Sequence, residues 1–230
     1  GFSNPTGISS GWTYMHVFIV PGTYNYQCDP HVPGMAGTIT VGQQQTYVPD
    51  DNFEAYLESN GMGNGTPNDD YVTTANIDTV TSLDVWNDSI ADLTGIEDFD
   101  SLQTLSCISN QLTSIDVSAN TVLIELNCSY NNLDTLDVST NTALTSLNCG
   151  YNNLDTLDVS ANTALAYLSC YDNLLTSLDV SQNTALTTLR CWSNQITSLD
   201  VSNNTALTDL NCEDNQLTSL DVSANTVLID

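Results

Sequence analysis

Residues 123–143 read LIELNCSYNNLDTLDVSTNTA, and residues 144–164 repeat them closely as LTSLNCGYNNLDTLDVSANTA. The leucines, the cysteine, the valine and four asparagines keep their places in both stretches, and only four positions between them change. A repeat of this length predicts a solenoid, in which one repeat forms one coil that is too short to bury its apolar face alone. Stacked coils bury these faces against their neighbours in a continuous core.

The repeat extends over most of the chain. Six full repeats run from Leu102 to about Val227, and a divergent repeat precedes them from Val80 to Leu93. The pattern L-x-x-L-x-C-x-x-N-x-L resembles the leucine-rich repeat, with cysteine at one of the usual leucine positions. We expect the residues equivalent to Asn131 and Asn141 to form two ladders that satisfy backbone groups where the coils turn.

The repeat cysteines lie 21 residues apart: Cys107, Cys128, Cys149, Cys170, Cys191 and Cys212. Neighbouring parallel strands are about 4.8 Å apart, which is within the Cα range for a disulfide. Their side chains point the same way, however, and free cysteine behaves as a small buried hydrophobe. A metal site needs clustered ligands and not a single file. The sequence therefore favours buried free thiols, with disulfides or metal binding as the alternatives.

A cap precedes the repeats. Val48–Glu58 is predicted to form a short helix, capped by Asp50 or Asp51 and ended by Asn60-Gly61. The segment from Tyr47 to Leu102 resembles the N-terminal region of leucine-rich-repeat proteins that marine Bacteroidetes secrete. That resemblance implies an extracellular or cell-surface location on a bacterium.

The positions between the repeated residues on each strand are expected to point to the exposed face of the sheet. They vary between coils and include an aromatic patch beside carboxylates and one arginine. Such a patch suits a protein or glycan ligand, and the alternative is a solvated face with tolerated aromatic residues. The candidate ligand-binding residues are Tyr130, Tyr151, Tyr167, Tyr171, Arg190 and Trp192.

Two acidic features raise the question of calcium. The second half of each coil stacks one aspartate in a column: Asp116, Asp137, Asp158, Asp179, Asp200 and Asp221. A solvated, salt-screened column is one interpretation, and Ca²⁺ bridging neighbouring carboxylates is the other. The loop from Asn60 to Asp70 is also rich in oxygen ligands, but it lacks the ordered spacing of an EF-hand.

The composition excludes several classes of partner. The chain has 230 residues, of which 28 are acidic and one is basic, and a formal net charge of −27. Nucleic-acid binding requires several Lys or Arg contacts to phosphate, which one arginine cannot supply. An anionic membrane surface is excluded for the same reason. No apolar run is long enough for a transmembrane helix, so no membrane insertion is expected.

Cys28 differs from the repeat cysteines because His31 and Met35 follow it within eight residues. A thiolate, an imidazole and a thioether form a soft ligand set that suits copper. Residues 21–41 resemble the copper loop of plastocyanin-like cupredoxins, which lies between the last two strands of that domain. The resemblance implies a type 1 copper site with Cys28 and His31 in the plane and Met35 as the axial ligand. It also implies electron transfer to a redox partner.

Such copper sites use a second histidine from an earlier strand. The other histidine here, His16, falls in Trp12–Val20, which is predicted to form a β-strand. The missing ligand is therefore expected before Gly1. Since the chain also stops within a new hydrophobic pattern at Asp230, we interpret it as a fragment cut at both ends.

Together these signals predict a mainly β protein: a partial cupredoxin β-sandwich followed by a leucine-rich-repeat solenoid with a short helical cap. The predicted boundaries are residues 1–42 for the cupredoxin-like domain, 43–46 for a linker, 47–101 for the cap and divergent repeat, and 102–230 for the repeats. The leading hypothesis joins a copper electron-transfer domain to a binding module in a secreted or cell-surface protein. The alternative is a non-redox adhesion protein whose cupredoxin-like domain is structural. No catalytic motif is present, so no enzyme activity is expected.

Overall fold

The computed structural model describes residues 17–18, 20–27 and 36–229, and the chain divides into two compact units, Gly1–Gln45 and Thr46–Asp230. In the first unit, β1 (Gly22–Gln27) and β2 (Ala36–Val41) form an antiparallel hairpin. The described residues of this unit contain no further strand pairing, so the predicted cupredoxin β-sandwich is not shown.

Residues 17, 18 and 20 lie outside any strand, which corrects the strand predicted over Trp12–Val20 at those three positions. His16 and the three predicted copper ligands, Cys28, His31 and Met35, lie outside the described residues.

The second unit begins with a small cap. The strands β3 (Gln45–Tyr47) and β4 (Tyr71–Thr73) pair with each other, and α1 (Asp51–Ser59) lies between them in the chain. The helix starts where predicted because the Asp50 carboxylate accepts hydrogen bonds from the N–H groups of Asn52 and Phe53, both at 3.0 Å. Those two donors have no partner within the helix, so this N-cap stabilises its first turn.

The predicted linker, residues 43–46, overlaps this cap. Gln45 and Thr46 belong to β3, and the Thr46 side chain is buried. Its hydroxyl donates to the Asp98 carboxylate and shares a hydrogen bond with the Thr74 hydroxyl. These two side-chain hydrogen bonds connect Thr46 to other residues of the second unit.

Two helix carboxylates hold the loop that follows α1. Glu54 accepts from the N–H groups of Asp69 and Asp70, and Glu58 accepts from those of Asn64 and Gly65. Phe53 and Leu57 of the helix are fully buried in the solenoid core, as expected for a cap.

The solenoid is built on one parallel sheet of seven short strands stacked in chain order. Each strand has three residues, and the central leucine of each pairs with the central leucine of the next. The strands are β5 (Ser82–Asp84), β6 (Thr104–Ser106), β7 (Glu125–Asn127), β8 (Ser146–Asn148), β9 (Tyr167–Ser169), β10 (Thr188–Arg190) and β11 (Asp209–Asn211). The leucine-rich-repeat solenoid predicted from the sequence is therefore confirmed.

The cysteines form a column just beyond the strand ends. Five of them are buried and Cys212 is partly exposed, and all six are free thiols. Backbone hydrogen bonds between neighbouring coils hold the cysteine column in place. The Cys128 N–H, for example, donates to the Asn148 carbonyl of the next coil at 2.9 Å. Burial raises the pKa of these thiols, that of Cys128 to about 12, so they are protonated and unreactive near neutral pH.

Two asparagine ladders tie the coils together. Asn131 accepts from the Leu112 N–H of the preceding coil at 3.0 Å. Its Nδ2 donates to the carbonyls of Cys107 and Cys128 at 2.9 and 3.1 Å. In the second ladder, Nδ2 of Asn141 donates to the carbonyls of Val117 and Asn120. These bonds satisfy buried backbone groups where the coil turns, as the repeat pattern predicted.

Candidate ligand-binding site

The exposed face of the sheet is formed by the first and third residues of each strand. Tyr167 is the first residue of β9, and Arg190 is the third residue of β10. The Arg190 guanidinium lies 5.9 Å from the centre of the Tyr167 ring, and its Nη2 is 2.8 Å from the Asp209 carboxylate. The hydrogen bond to Asp209 raises the pKa of Arg190, so the only basic side chain of the protein is already paired.

Four further aromatic residues lie in the turns that follow the strands. Tyr171 and Trp192 come directly after the repeat cysteines of their coils, while Tyr130 and Tyr151 come one residue later. Backbone hydrogen bonds continue beyond the strands into these turns: the Tyr151 N–H donates to the Tyr171 carbonyl at 2.9 Å. The sheet therefore fixes the spacing of the aromatic residues from coil to coil.

The four rings form a continuous row, here called the aromatic ridge: Tyr130, Tyr151, Tyr171 and Trp192. The rings of Tyr130 and Tyr151 are stacked with centroids 4.2 Å apart, and those of Tyr171 and Trp192 are stacked at 4.6 Å. The two pairs meet edge to face, with the centroids of Tyr151 and Tyr171 5.3 Å apart. Tyr130 and Tyr151 are 46% and 40% exposed. A ligand can therefore contact an aromatic surface that spans four consecutive coils.

Tyr130 and Tyr151 have unusual backbone conformations. Their φ angles are 57° and 52°, in the left-handed region where a bulky side chain is disfavoured. The equivalent positions in the other full coils have similar φ angles, but they carry serine or aspartate, of which aspartate is enriched in this region. The chain thus places tyrosine twice where the turn itself favours a small polar residue.

Two residues beside the aromatic ridge are not among the candidates predicted from the sequence. Gly150 lies directly under the Tyr171 ring: a Cβ at this position would be 2.6 Å from Cε1 of Tyr171. Asp172 adjoins the ridge, and its Oδ2 atom is buried without a hydrogen-bond partner among the described residues. Gly150 could have been noticed in the repeat alignment, since it is the only glycine after Gly95.

The charges and burial around the ridge act on the tyrosine hydroxyls. The negative charge of Asp172 is the main cause that raises the pKa of Tyr151. Burial is the main cause that raises the pKa of Tyr171. Both phenols are therefore protonated at neutral pH.

A shallow concavity of about 330 Å³ lies on the sheet face. Its polar lining comes from four neighbouring strands: Thr104, Ser106, Glu125, Asn127, Ser146, Asn148 and Tyr167. The Oδ1 of Asn148 accepts from the Gly150 N–H at 3.1 Å, which fixes the amide group. Its Nδ2 donates no hydrogen bond within residues 36–229, so it is available to a ligand.

The six predicted ligand-binding residues thus lie together on one side of the solenoid, and ligand binding by them stays a prediction. The predicted metal ligands Cys28, His31 and Met35 lie outside the described residues. Each aspartate of the repeated column accepts from the N–H two residues later, as Asp179 does from Ser181 at 2.9 Å. Calcium on this column stays a prediction.

The cap contains one cluster of carboxylates that the sequence analysis did not single out. Ligand atoms of Asp51, Glu54 and Asp70 lie within 4.8 Å of one another. Since Glu54 already accepts two backbone hydrogen bonds in the loop, this cluster has a structural role without any ion.

The buried cysteine column within a leucine-rich-repeat solenoid identifies the most informative similarity. The chain is similar to internalin J. It is 45% identical over 92 residues to internalin J of Listeria monocytogenes serotype 4b, a region that covers 39% of this chain and 10% of that protein. The match to internalin J of serovar 1/2a is 46% identical, with the same coverage. The chain therefore matches only about a tenth of the length of these relatives.

Solved structures agree with the fold. A structure described as the functional domain of internalin J, including a cysteine ladder, matches with a TM-score of 0.75 and 45% identity. The match covers 81% of this chain and 42% of that one. Internalin C2 of Listeria monocytogenes matches with a TM-score of 0.60 and 20% identity over 82% of this chain and 97% of its own, which supports the fold alone.

The first part of the chain also matches a protein family, separately from the similarity to internalin J. Residues 4–42 match the model of the copper binding proteins of the plastocyanin/azurin family. This match covers a small part of the chain, and it lies mostly outside the described residues. The prediction that the chain is not an enzyme is supported by the similarity to internalin J. In the described part of the chain, no helix combines the length and hydropathy that a membrane span needs.

Proposed function

We propose that residues 46–229 form a non-enzymatic ligand-binding module of a secreted or cell-surface bacterial protein. The aromatic ridge is the observation that carries this proposal. Four aromatic side chains in contact, on a scaffold whose leucine, cysteine and asparagine positions hardly vary, form the kind of rigid anchor that dominates binding interfaces. The similarity to internalin J supports a binding role and a location outside the cell.

The repeat separates a scaffold from a binding face. Leucine, cysteine and asparagine recur because they fill the core and satisfy the backbone. The ridge positions are free of both tasks, since serine, glycine, aspartate or glutamate occupies them in other coils. The choice of tyrosine and tryptophan there is therefore not required for folding, and recognition of a ligand explains it.

The proposal is tested by screening the 230-residue chain on arrays of immobilised extracellular proteins and glycans. The test variant is Tyr130→Ala with Tyr151→Ala. The matched control is Tyr47→Ala with Tyr71→Ala, a second pair of contacting tyrosines, 49% and 40% exposed on the cap. We expect the ridge variant to lose about tenfold or more in affinity for the array ligand, and the control to lose none. Equal affinities of the two variants for every bound ligand would contradict the proposal.

Copper binding by the first unit is a second candidate function. The match of residues 4–42 to the plastocyanin/azurin family supports it, together with the soft ligand set of Cys28, His31 and Met35. A copper ion bound by these residues would supply one-electron transfer. The test is the visible absorption spectrum of the chain after addition of Cu²⁺, with Cys28→Ser as the control. A chain with intact Cys28 that remains colourless and copper-free contradicts this function.

A further inference from the structure

We propose that the aromatic ridge recognises a basic segment of a partner protein, with Lys or Arg side chains lying along the rings. The inference rests on the proposed function and specifies its ligand. It follows from four properties of the ridge, which are its charge, its exposed rings, its strained tyrosines and one carboxylate whose charge no cation compensates.

The first property is uncompensated negative charge. Asp172 adjoins the ridge, and the following coils place Glu213 and Asp214 at the positions equivalent to Trp192 and Ser193. The single cation of the chain, Arg190, is held by Asp209 at 2.8 Å and compensates none of these three. A negatively charged surface attracts a cationic partner that comes within a Debye length of it, and it repels an anionic partner.

The second property is the aromatic surface itself. A Lys or Arg side chain gains from an aromatic ring twice, because its methylene stem packs on the ring and its charge interacts with the ring quadrupole. Neighbouring coils are about 4.8 Å apart along the sheet. The ridge therefore offers a ring in each of four consecutive coils, with carboxylates beside and beyond them, to an extended chain that runs along the solenoid.

The third property is the backbone of Tyr130 and Tyr151. Both residues keep φ angles above 50°, although serine and aspartate occupy the same turn in other coils. Strain of this kind persists in proteins mainly where a site needs the side chain. These tyrosines are therefore retained for what they contact outside the solenoid.

The fourth property is the Asp172 carboxylate. Its Oδ2 is buried, and the carboxylate acts on the Tyr151 hydroxyl both by its negative charge and by a side-chain hydrogen bond. A carboxylate with a buried oxygen and no cation to compensate its charge is unfavourable. A cation placed over the Tyr151 ring would stabilise this charge. A neutral glycan would not, which is why the geometry favours a basic peptide.

The test uses three probes on the intact chain: a peptide of alternating Lys and Ser, its counterpart of alternating Glu and Ser, and a neutral oligosaccharide. Binding is followed by the NMR signals of the ridge rings and by isothermal titration at low and high salt. We expect only the Lys-Ser peptide to bind and to shift the ring signals, and its affinity to fall as salt increases.

Two aspartate variants separate the ridge from the general negative charge. Asp172→Asn removes one charge at the ridge, and Asp179→Asn removes one charge from the exposed repeated column. The proposal expects a several-fold loss of Lys-Ser affinity for Asp172→Asn and no loss for Asp179→Asn. It also expects a loss of tenfold or more for Tyr130→Ala with Tyr151→Ala.

Equal losses for the two aspartate variants, or binding that does not depend on the tyrosines, would overturn the proposal in favour of nonspecific attraction. Salt-independent, tyrosine-dependent binding of the oligosaccharide would overturn the basic ligand and leave the proposed binding function intact. If no probe and no array ligand requires the ridge, both proposals fail.

Discussion

Gly150 is the residue on which the continuity of the ridge depends. In the same position the neighbouring coils carry Ser129 and Tyr171, so the turn itself accepts a side chain. What requires glycine is the Tyr171 ring, three atoms of which lie within 2.9 Å of the place where a Cβ would be. Tyr171 can therefore reach back over the preceding coil and meet Tyr151 edge to face.

We expect Gly150→Ala to displace the Tyr171 ring and to separate the two stacked pairs of the ridge. Overpacking of this kind costs about 1–3 kcal/mol of stability. The near-ultraviolet circular dichroism, which reports on coupled aromatic rings, should change while the far-ultraviolet spectrum does not. Ser129→Ala, one coil earlier, is the control and should leave both spectra unchanged. If Gly150→Ala remains destabilising in a Tyr171→Ala background, the contact is not the cause.

The buried thiols predict how stability depends on alkaline pH. Burial raises the pKa of Cys128 from 9.0 to about 12 in the folded protein. Below pH 9 the Cys128 thiol is protonated in both the folded and the unfolded chain, so the free energy of unfolding keeps its full value. Above pH 9 the unfolded chain loses the proton first, so the free energy of unfolding falls as pH rises toward the folded value. One such thiol contributes about 1.4 kcal/mol per pH unit.

Urea unfolding between pH 8 and 11 measures this dependence, and Cys128→Ala isolates one thiol. We expect the slope above pH 9 to be shallower in the variant than in the parent chain, with no difference below it. An identical slope in both proteins would show that the Cys128 thiol does not resist ionisation.

At the scale of the coil, one asparagine side chain replaces the hydrogen bonds that a sheet would otherwise provide. Asn152 accepts from the Leu133 N–H at 3.0 Å and donates to the carbonyls of Cys128 and Cys149 at 3.1 and 3.0 Å. Its partners are buried backbone groups that no water reaches. The ladder therefore holds each coil to the one before it.

Asn152→Ala is expected to lower the free energy of unfolding by about 2 kcal/mol or more, because it leaves buried backbone groups unpaired. The adjacent exposed Asn153 gives a matched control, since Asn153→Ala removes the same side chain without breaking these bonds. Urea unfolding of the two variants measures the difference. A loss of stability of similar size in both would contradict the role assigned to the ladder.

The elements of the solenoid were predictable from sequence because each follows from a repeated local cause. The leucine, cysteine and asparagine spacing determines the coil, and Asp50 determines where α1 begins. The strands end one residue before the cysteine, so Cys128 lies beyond β7 and not within it. The pattern shows which residues are buried but not where the extended conformation stops.

The ridge was predictable as a set of residues but not as a structure. The repeat places Tyr130 and Tyr171 in the same turn of their coils, yet one residue apart. Whether their rings meet depends on the left-handed φ of Tyr130 and on the absence of a side chain at Gly150. Neither condition is visible in a pattern of apolar positions.

For the molecule as a whole, the net charge of −27 makes self-repulsion a large destabilising contribution. We expect the melting temperature to rise as sodium chloride is added, because salt screens the exposed carboxylates. A melting temperature that does not depend on salt would contradict this expectation.

The same experiment tests calcium on the column that runs from Asp116 to Asp221. At equal ionic strength, calcium chloride should raise the melting temperature above the sodium chloride value if Ca²⁺ bridges the carboxylates, and a chelator should reverse the effect. Equal melting temperatures in the two salts would contradict Ca²⁺ bridging and support a solvated aspartate column.

The first unit was the part least accessible to prediction from these residues. In the cupredoxins that residues 21–41 resemble, a strand follows the copper loop. Here that strand corresponds to β2, which pairs with β1 in an antiparallel hairpin. A copper site, by contrast, needs ligands from distant strands to converge, and the sequence contains only the local part of such a set. A repeated coil has its stabilising contacts in its neighbours, so the spacing of residues alone predicts the solenoid, whereas the sandwich rests on the family resemblance and stays a prediction.

Because the scaffold residues are the same in each coil, the number of coils can change during evolution. Each coil meets its neighbours through the same leucine, cysteine and asparagine contacts. Duplication of one repeat in the gene therefore inserts a coil whose neighbours on both sides find the partners they already had. The insertion lengthens the face that carries the rings by one step of about 4.8 Å. The number of ligand residues recognised can thus grow or shrink by whole units, with no redesign of the core.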